Sequence, residues 1–118
     1  MTLFEKDGRV GGQFNMAKEI PGKSEFKESI AYFHGEARRN GVDLQLSTKV
    51  TASDLEGFDE VVLATGVHPR EIDIPGSDHP MVLSYIDVLR GGAQVGPRVA
   101  LIGAGGIGFD VAEFLCHD

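Results

Sequence analysis

Arg98-Val-Ala-Leu-Ile-Gly-Ala-Gly-Gly-Ile-Gly-Phe-Asp-Val-Ala-Glu-Phe-Leu115 is the stretch whose reading decides the fold. A β-branched apolar run, Val99 to Ile102, feeds into Gly103-x-Gly105-x-x-Gly108, and an amphipathic helical pattern follows. This is the order of a strand, a phosphate loop and a helix N-terminus in a dinucleotide-binding βαβ unit. Each glycine has a physical reason: Gly103 for the tight turn, Gly105 for backbone approach to a pyrophosphate, Gly108 for close packing of helix on strand. The helix N-terminus adds unpaired N–H groups and positive dipole. A plain tight strand–helix turn is the competing reading of the same residues.

Ten residues follow Gly108, whereas the second strand of such a unit carries a ribose-binding acid roughly 20 residues on. The chain is therefore expected to open a nucleotide site without closing it. Its beginning reads in the complementary way. Met1-Thr-Leu-Phe-Glu5 is a short apolar strand ending in an acid, and an acid at that place binds ribose hydroxyls in a dinucleotide fold; a solvated Glu at a strand end is the alternative. Gly11-Gly12-Gln13 lets the main chain pass close to a ligand, with an amide able to donate and accept hydrogen bonds, or it is a glycine-rich surface turn. Phe58-Asp-Glu-Val-Val-Leu-Ala-Thr65-Gly66 reads as a buried strand running into a small-residue turn. In proteins that bind two dinucleotides, such an Ala-Thr-Gly end returns the chain beside the first cofactor before a second glycine loop begins.

The bulk properties narrow the class. A chain of 118 residues, 42% hydrophobic and 25% charged, fits one modest globular domain. The 16 glycines cluster in loops at 11–12, 91–92 and 103–108, which favours close backbone approaches over a repetitive sequence. A net charge of -7 with no Lys/Arg stripe argues against nucleic-acid binding. No run approaches a membrane span and no signal peptide opens the chain, so a cytoplasmic location is expected. The single cysteine, Cys116, leaves no internal disulfide or redox pair and is expected as a small buried hydrophobe. His34, His68, His79 and His117 lack metal-ligand spacing, and no metal site or catalytic acid, base or nucleophile is assigned.

Between these landmarks the pattern is α/β. Residues 13 to 22 lack clear periodicity. Ser24 is expected to cap a helix carrying Phe26, Ile30, Phe33 and Ala37 on one face, with Arg38 and Arg39 in its last turn and Gly41 at C′. Val42 to Ser47 alternates as a strand, and Lys49 to Thr51 reads as a second extended piece. Pro69, Pro75 and Pro80 make an extended connector, and Ser84 caps a short helix that Gly91-Gly92 ends.

Thr2-Leu-Phe-Glu, Gly11-Gly-Gln-Phe-Asn, Ile20-Pro-Gly-Lys, Val61-Val-Leu-Ala-Thr-Gly-Val, Val82-Leu-Ser-Tyr and Ile102-Gly-Ala-Gly-Gly-Ile-Gly-Phe-Asp together resemble the C-terminal region of bacterial NADPH-dependent 2,4-dienoyl-CoA reductase, across essentially all 118 residues. Trimethylamine dehydrogenase shares the architecture. The resemblance implies an α/β, Rossmann-like fragment of a two-dinucleotide flavoprotein: 1–70 as part of an FAD-binding domain without its first glycine loop, 71–96 as a connector with a short helix, and 97–118 as the first strand-loop-helix of an NADPH-binding domain. It implies that NADPH reduces FAD, then a 4Fe-4S cluster, then FMN, and finally a conjugated acyl-CoA, with the cluster and FMN held by other domains of the parent. It places FAD contacts on Glu5, Gln13, Lys23 and the backbone of Val50; with the motifs read above, the candidate cofactor-binding residues are Glu5, Gly12, Gln13, Lys23, Val50, Thr65, Gly66, Gly103, Gly105 and Gly108. A non-catalytic nucleotide-binding or interaction module is the alternative from another class.

Overall fold

A parallel pair of short strands anchors the first half. β1 (Thr2–Phe4) pairs with β2 (Asp43–Gln45), Thr2 opposite Asp43 and Phe4 opposite Gln45. Glu5 N donates to Gln45 O at 3.0 Å and Thr48 N to Glu5 O at 2.9 Å, so the pairing continues one step past the strand end. Parallel strands need a long crossover. Here it contains α1 (Phe14–Ala17) and α2 (Glu25–Arg39). The computed structural model describes residues 1–70 and 72–117; Glu71 and Asp118, which bound the connector and the final segment of the sequence reading, lie outside the described residues.

The expected helix is present, with acids Glu25 and Glu28 in its first turn, Arg38 and Arg39 in its last, and Gly41 at φ 67° just beyond. Those charges complement the dipole at both ends. Two details differ from expectation. Ser24 holds helical dihedrals and its hydroxyl makes no cap bond, because the preceding turn already supplies bonds, Phe26 N to Lys23 O and Lys27 N to Ser24 O. Phe33 is 65% exposed and lies edge-on against Tyr32, while Ile30 and Ala37 are half-buried. The one-turn helix α1 falls in the stretch without periodicity; four residues are too few for a 3.6-residue period to register.

A 3-10 turn, Ala52–Leu55, follows β2 and is closed by a capping box between Thr51 and Asp54. Helix α3 (Tyr85–Leu89) starts at Ser84 as expected: Ser84 Oγ accepts from Asp87 N at 3.2 Å, while Ser84 N donates to the Asp87 carboxylate at 3.0 Å. Gly91 ends it at φ 77°. Helix α4 (Gly106–Cys116) closes the chain, with Cys116 exposed at its last position instead of buried.

Among the described residues the buried ones are Met16, Ile20, Val88, Leu89 and Val111. They come from α1 and the turn after it, from α3, and from α4. The core thus sits at the junction between the segment that holds β1 and β2 and the helix that follows the glycine loop. Tyr85, Ile86, Val95, Phe114 and Leu115 pack around it.

The strands expected at 58–66 and 97–102 do not form: among the described residues only β1 and β2 make a ladder. A strand exists through its hydrogen-bonded neighbours, and these runs have none here. Their apolar side chains are correspondingly open, Val62 at 88%, Leu63 at 80% and Ile102 at 79% exposed. Lys49 to Thr51 likewise pairs with nothing as a strand. The Cα radius of gyration, 17.6 Å, exceeds the value of about 13–14 Å for a compact domain of this length. Phe58 nevertheless packs edge-on against Phe4 with centroids 6.1 Å apart, seating the start of the 58–66 run over β1.

Candidate functional site

The glycine loop has the shape its sequence requires. Gly103 adopts φ 114°, a conformation side chains rarely tolerate. A Cβ on Gly108 would lie 2.2 Å from the carbonyl oxygen of Gly103, so helix α4 approaches the preceding backbone more closely than any other residue allows. A Cβ on Gly105, by contrast, would meet nothing within 4 Å. Its φ of -86° and ψ of -178° are ordinary extended backbone. The loop therefore needs Gly103 and Gly108 for its own geometry, and leaves open space in front of Gly105.

That space faces the start of α4, whose first amides have no intrahelical acceptor. The first turn of α4 contains no acid. In α2 the corresponding turn holds Glu25 and Glu28, which repel an anion. Among the described helices of eight or more residues, α4 alone has no acid in its first turn, which leaves its donors and positive dipole open to an anion. The residues here fit a dinucleotide pyrophosphate.

The second group of residues gathers beyond the end of β1. Glu5 is half-buried, and its Oε1 accepts from Asp7 N at 2.9 Å, which fixes the carboxylate at the strand end. Gly11 turns the chain at φ 114°, where a Cβ would lie 2.7 Å from Asn15 Nδ2 and 2.9 Å from Ile30 Cδ1; Gly12 follows at φ 47°. Gln13 Nε2 donates to Val67 O at 3.2 Å. That bond brings the Gly11-Gly12-Gln13 loop beside the Thr65-Gly66 turn, 54 residues away in sequence, so these two sequence signals meet in space. Glu5, Gly12 and Gln13 fit a ribose and a ligand passing close to the main chain.

Lys23 is engaged by the helix that follows the glycine loop, through Asp110, which lines one cavity together with Gln13. Lys23 Nζ lies 2.6 Å from Asp110 Oδ1 on α4, with the two side chains 36% and 30% exposed. Val50 is half-buried but is not at a strand end, since β2 closes at Gln45 and the chain turns before reaching it. Asp110 carried no signal in the sequence, because its partner lies 87 residues earlier. A second long-range pair, Arg90 to Asp7 at 3.8 Å, ties the end of α3 to the loop after β1.

The titrating carboxylates with resolved shifts are structural. Asp54 is held below the usual carboxylate range by the bonds it accepts from the Thr51 hydroxyl and amide, and Asp87 in the same way by Ser84. His79 Nδ1 accepts from Met81 N within its own turn. Among the described residues no cluster of three or more His, Cys, Asp or Glu is placed to hold a metal ion, and no helix is long and apolar enough to cross a membrane.

Comparison with known proteins gives the family and the fold. Residues 1–117 match the family model described as pyridine nucleotide-disulphide oxidoreductase. The chain is 33% identical to a metal reductase of Desulforamulus reducens and 36% identical to a bilirubin reductase of Mediterraneibacter gnavus, in each case over 99% of this chain. A cinnamate reductase of Clostridium sporogenes is 34% identical over 98% of it. A solved complex of 2-naphthoyl-CoA reductase with 2-naphthoyl-CoA superimposes with a TM-score of 0.90 at 31% identity, covering 98% of this chain. The chain spans 17–19% of the length of these proteins. With its Rossmann-like α/β fold and a family that implies FAD and NAD(P)H binding, the chain belongs to the pyridine nucleotide-disulphide oxidoreductase family of flavin-dependent oxidoreductases.

Proposed function

We propose that this chain is the junction of two nucleotide sites within a larger NADPH-dependent flavoprotein reductase. Residues 1–70 then contribute to the FAD domain, 71–96 connect, and 97–118 open the NADPH domain. The observation that carries this reading is the contrast within the glycine loop: Gly103 and Gly108 are required by the fold, whereas Gly105 faces open space at an acid-free helix N-terminus. When bound, the nicotinamide supplies a hydride and the flavin accepts it. The chain's own part is to hold the two nucleotides. The α4 amides and Gly105 receive the NADPH pyrophosphate, and Glu5 accepts the FAD ribose hydroxyls. The main chain at Gly12, Gln13, Thr65 and Gly66 lies along the FAD, with Lys23 and the Val50 backbone as further contacts.

For the whole protein the reading is a 2,4-dienoyl-CoA reductase of the fatty-acid oxidation type, cytoplasmic, passing electrons through a 4Fe-4S cluster and FMN held by other domains. The acyl-CoA ligand of the superimposed naphthoyl-CoA reductase supports a thioester substrate. The metal, bilirubin and cinnamate reductases match over this same stretch, which supports an acceptor chosen elsewhere in the parent and a shared electron-entry module here. The test is anaerobic reduction of the purified full-length flavoprotein by NADPH and by NADH, followed by oxidation with a 2,4-dienoyl-CoA, free cinnamate and an aryl-CoA. Faster reduction by NADPH and turnover of the dienoyl-CoA support the proposal. Turnover of cinnamate or aryl-CoA alone replaces the substrate, and a flavin that neither nucleotide reduces removes the reductase reading.

A further inference from the structure

The ion pair between Lys23 and Asp110 spans the two halves of the molecule. Lys23 lies in the turn that opens α2, one residue beyond Gly22 at φ 75° and three beyond buried Ile20. Asp110 lies on α4, five residues after Gly105 and directly before buried Val111. The 2.6 Å separation makes this a charge-assisted hydrogen bond, at the rim of the buried apolar cluster of the described residues. Apolar packing is non-directional; Met16, Ile20, Val88, Leu89 and Val111 hold α4 against the first half. A directed bond at the edge fixes the register. Pairing also offsets the charge of Asp110, which at about 1.5 Å per residue is only about 7–8 Å along the axis from the loop that receives an anion.

We propose that Asp110 is a positioning residue, which through Lys23 sets where the α4 glycine loop stands relative to the flavin-side segment. The inference rests on the reductase reading above. Hydride transfer falls steeply when the reacting groups are misplaced by as little as 1 Å, whereas nucleotide affinity depends on the loop itself. Loss of the pair therefore slows flavin reduction more than it weakens nucleotide binding.

The test uses the full-length flavoprotein and three anaerobic measurements: flavin content, the dissociation constant of the reducing nicotinamide nucleotide, and the first-order rate of flavin bleaching at saturation. Asp110→Asn is expected to keep its flavin, shift the dissociation constant by about twofold or less, and bleach about fivefold more slowly, the upper end of what loss of a partly exposed ion pair supports. Asp110→Glu keeps the charge and recovers most of the rate. The inference is overturned if Asp110→Asn bleaches at the wild-type rate, if its rate falls only in step with flavin or folded fraction, or if Asp110→Glu is no better than Asp110→Asn. A wild-type flavin that no nicotinamide nucleotide bleaches overturns the reductase reading and this inference with it.

Discussion

Two neighbouring glycines in one loop are expected to fail in opposite ways when changed to alanine. In Gly108→Ala the new methyl would stand 2.2 Å from Gly103 O and 3.1 Å from Gly103 C. Both are backbone atoms, so no side chain can rotate aside, and Gly103 is itself held at φ 114°. Relief requires α4 to lift by more than 1 Å, the shortfall to ordinary contact at 3.4 Å. That lift draws Val111 away from Val88 and Leu89. Overpacking against a rigid neighbour costs up to about 3 kcal/mol, a large part of the 5–15 kcal/mol that holds a typical domain. Gly105→Ala meets nothing within 4 Å and keeps an unstrained backbone, so its stability should stay within about 0.5 kcal/mol of wild type. Its methyl instead occupies the space assigned to the pyrophosphate, and nicotinamide nucleotide affinity should fall at least tenfold, about 1.4 kcal/mol. Urea unfolding followed by circular dichroism, paired with nucleotide titration of the full-length protein, separates the two. A wild-type unfolding midpoint in Gly108→Ala would refute the close-approach argument, and wild-type affinity in Gly105→Ala would refute the pyrophosphate assignment.

Glu5→Ala should release FAD from the full-length protein on dialysis while nucleotide affinity at the glycine loop is unchanged, since each charge-assisted ribose bond contributes roughly 1.5–3 kcal/mol; equal flavin occupancy in mutant and wild type returns Glu5 to a loop-holding role through Asp7. Gly11→Ala should destabilise the chain by about 1–3 kcal/mol, because its methyl meets Asn15 and Ile30 at a positive φ, and a melting curve like that of wild type would contradict this. Ser84→Ala removes the side-chain acceptor at the start of α3 and should cost about 1 kcal/mol, read in the same unfolding assay. The carboxyls of Asp54 and Asp87 are lowered in the folded chain, so their caps add stability above the unfolded carboxyl value near 4 and lose it as pH falls through the lowered folded value. Amide shifts of Thr51 and Ser84 should stay flat from pH 7 to about 5 and move only in acid.

What could be read from sequence was what local chemistry controls. Gly41 and Gly91 as helix stops, Ser84 as a cap, the tight turn at Gly103 and the close approach at Gly108 depend on residues within a few positions of one another, and each is seen in the structure. The 58–66 and 97–102 runs have the composition of buried parallel strands, but a ladder is a property of neighbours, and composition carries no record of whether they are present. Ser24 has the right chemistry for a cap at a place where an incoming turn already occupies the donors. The contacts that unite the site were the least legible. Gln13 to Val67, Arg90 to Asp7 and Lys23 to Asp110 join residues 54 to 87 positions apart, and no periodicity or spacing rule connects such pairs.

The location of the buried core bears on how the two proposed nucleotide loops would act together. If each half were packed around its own centre, the loops would be joined only by the connector, and their separation would vary with it. Instead Met16 and Ile20 from the first half, Val88 and Leu89 from α3, and Val111 from α4 form one cluster. Two ion pairs adjoin it in sequence, Lys23 with Asp110, next to Val111, and Asp7 with Arg90, next to Leu89. Burial of these five side chains, each contributing about 1.5–3 kcal/mol, outweighs the two partly exposed pairs, at up to about 1 kcal/mol each. Packing therefore supplies the attachment and the charged bonds supply its direction. This division makes two separable failures: a core change such as Val111→Ala should loosen both sites together, whereas a change at the Lys23–Asp110 edge should leave the attachment intact and alter only the alignment across it.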